Sequence, residues 1–132
     1  MKPKISMITL GVSDLIKSTV FYRDGLGLPT YGDYSGVTFF ELAGTWLALY
    51  PYDKLSAEVQ LPASKGGFSG FTLAHNVASV EDVDNIIEQA EQAGAKIIRP
   101  PVKAEWGGYA GCFADPDGYI WEVAWNPDFD LT

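Results

Sequence analysis

The sequence predicts an α+β fold of two tandem β-α-β-β-β modules whose strands form a curved mixed sheet around a cleft. Three observations predict it: an order of elements that occurs twice, apolar residues at strand and helix spacing within those elements, and glycine or proline at the joints. At 132 residues the chain is long enough for one domain with its own core. We therefore expect residues 1–132 to be a single domain, with module one over about 1–50, a connecting arm over about 51–67 and module two over about 68–126.

Module one opens with the β-rich run Ile5 to Val12, after which Ser13-Asp14-Leu15-Ile16 starts a helical stretch that ends at Gly25. Three strands should follow, at Thr30 to Tyr34, Val37 to Leu42 and Thr45 to Tyr50, broken at Ser35-Gly36 and Ala43-Gly44. Pro51 to Gly67 carries Pro51, Pro62, Gly66 and Gly67 among mixed charges and suits an irregular arm. Module two repeats the order. Phe71 to Val77 is strand-like, and Ser79-Val80-Glu81-Asp82 has the form of a capping box opening a helix that Gly94 ends. In that helix Val83, Ile86, Ile87 and Ala90 follow helical spacing, so one face is buried and one is wet. Strands are expected at Lys96 to Arg99, Tyr109 to Ala114 and Tyr119 to Trp125, interrupted by Pro100-Pro101 and by Asp115-Pro-Asp-Gly118, which reads as a tight turn rather than a calcium loop. Matching Val12 and Asp14 to Val80 and Asp82 sets the repeat at an offset of 68.

Composition removes several functions. Apolar residues make up 47% and charged residues 20%, and no apolar run approaches the roughly 18 residues that cross a bilayer. No signal-peptide core follows the first residues, so a cytoplasmic location is expected. Seventeen acidic against nine basic residues give a net charge of −8, which repels nucleic acid and anionic membranes and suits a cationic ligand in an acidic cleft. The single cysteine, Cys112, allows no internal disulfide and no cysteine-cage zinc, and reads as a small core residue. No dinucleotide fingerprint, phosphate loop or nucleophile elbow is present.

The paired modules, the stretch Val12-Ser-Asp14-Leu15 to Phe21-Tyr22-Arg23-Asp24-Gly-Leu-Gly27, and above all Trp106-Gly-Gly-Tyr-Ala-Gly-Cys-Phe-Ala-Asp115-Pro-Asp-Gly118-Tyr-Ile-Trp-Glu122-Val resemble the vicinal oxygen chelate superfamily. That family includes glyoxalase I, extradiol dioxygenases and the fosfomycin and bleomycin resistance proteins. The resemblance implies a homodimer and, in metal-using members, four ligands, one from the first and one from the last strand of each module. Counting back from Val80 selects His75, and the offset of 68 then selects Met7. Four residues beyond the turn glycines Gly118 and Gly44 stand Glu122 and Ala48. Of Met7, Ala48, His75 and Glu122, only His75 and Glu122 suit a divalent metal of the nickel, zinc, iron or manganese kind.

No cofactor is therefore expected, with a divalent metal on His75 and Glu122 as the alternative. Alternation places His75 on a strand face with Phe71, Leu73 and Val77, where the bland reading is a buried histidine held by one hydrogen bond. Glu122 stands between Ile120 and Ala124, needs a partner, and is expected to find it in His75 as a buried dyad. Such a dyad would serve as a general base, but no lysine or arginine stands beside it in the sequence to support an enolate. Four Trp, seven Tyr and seven Phe make 14% aromatics, and Trp46, Tyr50, Trp106, Tyr109, Trp121 and Trp125 fall near the strands expected to wall the cleft. The expected ligand-binding set is Met7, Trp46, Ala48, Tyr50, His75, Trp106, Tyr109 and Glu122. The expected function is binding of a small aromatic or cationic organic molecule, of the glyoxalase and bleomycin-resistance type. Two alternatives stand beside it: a divalent-metal lyase, isomerase or dioxygenase, and a subunit that engages another protein through its aromatic surface.

Overall fold

A computed structural model describes residues 1–64, 67–128 and 130–132. The chain divides into two units, Met1–Gly66 and Gly67–Thr132, each with its own sheet.

In the first unit β1 (Met7–Val12) lies parallel to β3 (Trp46–Pro51), and β2 (Thr38–Phe40) pairs antiparallel on the other side of β3, giving the order β1-β3-β2. Period-two alternation and the register put Leu10, Val12, Leu47, Leu49 and Phe40 on one face, all buried. That face is covered by α1 (Leu15–Val20), whose first turn is capped by the Asp14 carboxylate accepting from the Lys17 N–H at 3.0 Å. The helix continues as a π-helical turn over Phe21–Gly25, so the expected single helix changes its hydrogen-bonding step before Gly25. This widened turn brings Phe21 and Tyr22 inward, the Tyr22 ring 6.0 Å from Phe40. The opposite face carries Met7, Thr9, Gly11, Trp46, Ala48, Tyr50 and Phe39.

Two expectations for this unit are corrected. Thr30 to Tyr34 forms only one bridge, Thr30 to Phe40, because Gly32 takes a φ of +67° that no extended ladder accommodates. Within the expected arm, Tyr52–Glu58 is a helix, α2, seated between Pro51 and Pro62 where neither glycine nor proline occurs. It packs against β1 at Gly11, where an added Cβ would stand 2.8 Å from Tyr52 Cδ2 and 3.3 Å from its Cα, and the Tyr52 hydroxyl donates to the Ser64 carbonyl. The arm's residues 65 and 66 lie outside the described residues.

The second unit repeats the plan with its ladder complete. β4 (Leu73–Asn76) runs parallel to β7 (Ile120–Trp125), then β6 (Tyr109–Ala114) and β5 (Lys96–Lys103) follow antiparallel, in the order β4-β7-β6-β5. α3 (Val80–Gln92) starts where Ser79 Oγ accepts from the Asp82 N–H at 3.1 Å and stops before Gly94, whose φ is +103°. Its apolar stripe, Val83, Ile87 and Ala90, is buried on the sheet face that carries Phe113, Val123 and Trp121. The expected turn at Asp115 to Gly118 forms. Asp115 Oδ1 accepts from the N–H groups of Asp117 and Tyr119 at 2.9 and 2.8 Å, and Gly118 has a φ of +88°.

Pro100-Pro101 does not end β5, contrary to expectation. The strand lies at the sheet edge, where proline is tolerated, and both prolines fall in a register shift between Arg99 and Val102. Among the described residues no helix is long and apolar enough to cross a membrane.

Candidate functional site

The two faces of the second sheet differ in chemistry. Tyr109, Phe113, Trp121, Val123 and Trp125 point toward α3, and register places Leu73 and His75 on that same side, because His75 pairs with Val123. The reverse face carries Ala110, Cys112, Ala114, Ile120, Glu122 and Ala124, with Ala74 and Asn76 from β4. His75 and Glu122 therefore stand on opposite faces of one sheet, and the expected dyad is not formed. His75 is exposed rather than buried, since β4 is an edge strand.

The helix caps explain the error. Asp14 caps α1 and Ser79 caps α3, so equivalent positions at the start of the two units are 65 apart, not 68. On that equivalence Met7 corresponds to Thr72, and His75 corresponds to Leu10, a core residue 1% exposed. The sheet rungs agree: Thr9 pairs with Ala48 in the first unit, and Ala74 pairs with Glu122 in the second. The equivalence of Ala48 and Glu122 drawn from the turn glycines matches these rungs, and the residue of module two equivalent to Met7 is Thr72, one residue before β4. The first unit presents a thioether at Met7 and a methyl group at Ala48. The second presents a hydroxyl and one carboxylate.

Glu122 has a partner that sequence reasoning missed. Arg99, Cys112, Glu122 and Ala74 form one row across β5, β6, β7 and β4, all on the face away from α3. Arg99 Nη2 stands 3.9 Å from Glu122 Oε2 and 3.6 Å from Cys112 Sγ, while Nη1 donates to the Ala110 carbonyl at 3.2 Å. The arginine and glutamate side chains keep 42% and 39% of their exposure. In an uninterrupted strand Arg99 would share a face with Ile97, which pairs with Phe113 toward α3. The extra residue, Ile98, resets the alternation and turns Arg99 onto the Cys112 row. The signal in the sequence was Arg99-Pro100-Pro101, an arginine beside residues that suit bulged edge strands. A cation therefore does stand beside Glu122, and Cys112 is half-buried on this row rather than in the core under α3.

The remaining expected residues separate. Met7, Trp46, Ala48 and Tyr50 share one face of the first sheet. There Ala48 is buried, Met7 is 39% exposed and the Trp46 ring lies 4.8 Å from Tyr31. Tyr109 points to the α3 side, and its hydroxyl donates to Asp84 Oδ1 at 2.7 Å, so it is not on the Glu122 face. That hydrogen bond holds the phenol above its ordinary pKa. Trp106 is exposed, with its ring folded over Gly108. Among the described residues no group of three or more His, Cys, Asp or Glu side chains is placed to hold a metal. In the first unit a thioether and a methyl group, and in the second a hydroxyl and a carboxylate beside a guanidinium, each offer too few donors for a hard or borderline divalent ion.

A two-unit chain of this topology, with parallel first and last strands in each unit, defines a family. The model of the glyoxalase/bleomycin resistance protein/dioxygenase superfamily matches residues 4–123, and the chain belongs to that superfamily, with its vicinal oxygen chelate fold. The chain is 31% identical over 123 residues to the glutathione transferase FosA of Serratia marcescens, covering 93% of this chain and 81% of that protein. It is 34% identical over 91 residues to the metallothiol transferase FosB of Staphylococcus haemolyticus, covering 66% of this chain and 60% of that protein's length. A solved structure of a glyoxalase-related enzyme from Fulvimarina pelagi superposes with a TM-score of 0.90 at 33% identity, over 98% of this chain and 93% of the other.

Proposed function

We propose that this chain is a binding member of the superfamily that takes a small organic molecule on the sheet face carrying Arg99 and Glu122, without the divalent metal that metal-using relatives hold. The observation that supports this reading is the ion pair itself: a guanidinium stands beside the one carboxylate at a family ligand position. A resident cation offsets the carboxylate's charge and opposes the approach of a metal ion to it. On this face the Arg99 guanidinium stands beside the Glu122 carboxylate, which moves the expected ligand away from a simple cation. The family resemblance makes a homodimer part of this proposal.

Similarity to a glutathione transferase and a metallothiol transferase favours a second reading, metal-dependent thiol transfer. The two separate in one experiment. Tag-free protein is incubated with manganese, nickel, zinc or iron(II), desalted and analysed for metal. We expect well under one equivalent of each, unchanged by Glu122→Gln. One equivalent that Glu122→Gln removes would overturn the binding reading in favour of a metalloenzyme.

A further inference from the structure

Resting on that reading, we propose that the group recognised at this site is a neutral donor–acceptor edge, the carbonyl oxygen and N–H of a carboxamide or lactam, held between Arg99 and Glu122. The separation of 3.9 Å between Arg99 Nη2 and Glu122 Oε2 is too long for a hydrogen bond, so the pair is electrostatic and incomplete. The guanidinium is held from one side, by the Ala110 carbonyl at Nη1 and the Cys112 sulfur at Nη2, which fixes its plane along the row and leaves N–H donors in hand. Glu122 accepts no hydrogen bond from the described residues, and its exposure leaves its oxygens open to a ligand. Donor and acceptor thus stand side by side on rigid strands, positioned by the Ile98 bulge.

The charges decide which ligand groups fit. A carboxylate or phosphate drawn to Arg99 would come up against Glu122, and an ammonium or amidinium drawn to Glu122 would come up against Arg99. A carboxamide meets neither penalty. Its oxygen accepts from the arginine and its N–H donates to the glutamate, so both protein groups gain a charge-assisted hydrogen bond. A lactam presents the same pair of atoms in a fixed relation.

Three compounds of nearly one shape test this: benzamide, benzoate and benzamidine, titrated into the full-length protein and followed by amide chemical shifts. Benzamide should bind about tenfold or more tighter than either charged analogue. Glu122→Gln should narrow the gap to benzoate, and Arg99→Gln the gap to benzamidine. Tighter binding of benzoate or benzamidine by the native protein overturns the proposal, as do affinity gaps that neither substitution narrows. Binding of none of the three at millimolar concentration also overturns it, while the wider reading of a metal-free binding protein falls only to the metal analysis above. The native ranking decides the matter even if a variant fails to fold.

Discussion

Replacing Phe113 by alanine is expected to cost about 3–5 kcal/mol of folding stability, enough to remove much of what a domain of this size possesses. Phe113 is 2% exposed, lies on the β6 face that α3 covers, and stacks on Trp121 with ring centroids 6.2 Å apart and planes at 6°. Truncation removes the transfer free energy of the ring and leaves a cavity between rigid strands and the Val83, Ile87 and Ala90 stripe. Urea melts of the native and substituted proteins measure the difference. Ile98→Ser is the control: this bulge residue is 48% exposed, and its change should stay within about 0.5 kcal/mol. A loss below about 1 kcal/mol at Phe113 would mean that α3 is not seated on this sheet face as described.

Gly111→Val is the second large effect, and it joins fold to function. An added Cβ at Gly111 would stand 3.0 Å from Pro101 N and 3.1 Å from the Arg99 carbonyl oxygen, both backbone atoms of β5. These atoms yield only if the edge strand moves away. The strand that moves is the one that aims Arg99, so the substitution should cost about 1–3 kcal/mol and also weaken benzamide binding at temperatures where the variant is folded. Retention of both native stability and native binding would show that β5 does not pack on Gly111 in this way.

Much of the architecture was legible because it rests on local rules. β6 was expected at Tyr109 to Ala114 and is found there, since the turn at Asp115 to Gly118 ends it. Ser79 and Gly94 marked the ends of α3 because a cap and a left-handed stop are chemical features of single residues. The failures came where a long-range fact overrode a local one. Matching valine to valine aligned Val12 with Val80, whereas the cap positions align it with Val77, and a slip of three residues moves a strand residue to the other face. That slip placed His75 beside Glu122. Arg99 was hidden for a related reason: two register shifts break the alternation from which facing is read, and neither shift follows from the residue types alone. The helix Tyr52–Glu58 was obscured by prolines and glycines that flank it rather than interrupt it.

Anomalous diffraction from crystals soaked in manganese or zinc addresses the core of the account, that a guanidinium and not a metal partners Glu122. No anomalous peak is expected within about 2.0–2.2 Å of a Glu122 oxygen, with the Arg99 guanidinium still lying along the row over Cys112. A fully occupied ion bonded to Glu122, with Arg99 turned away, would contradict it.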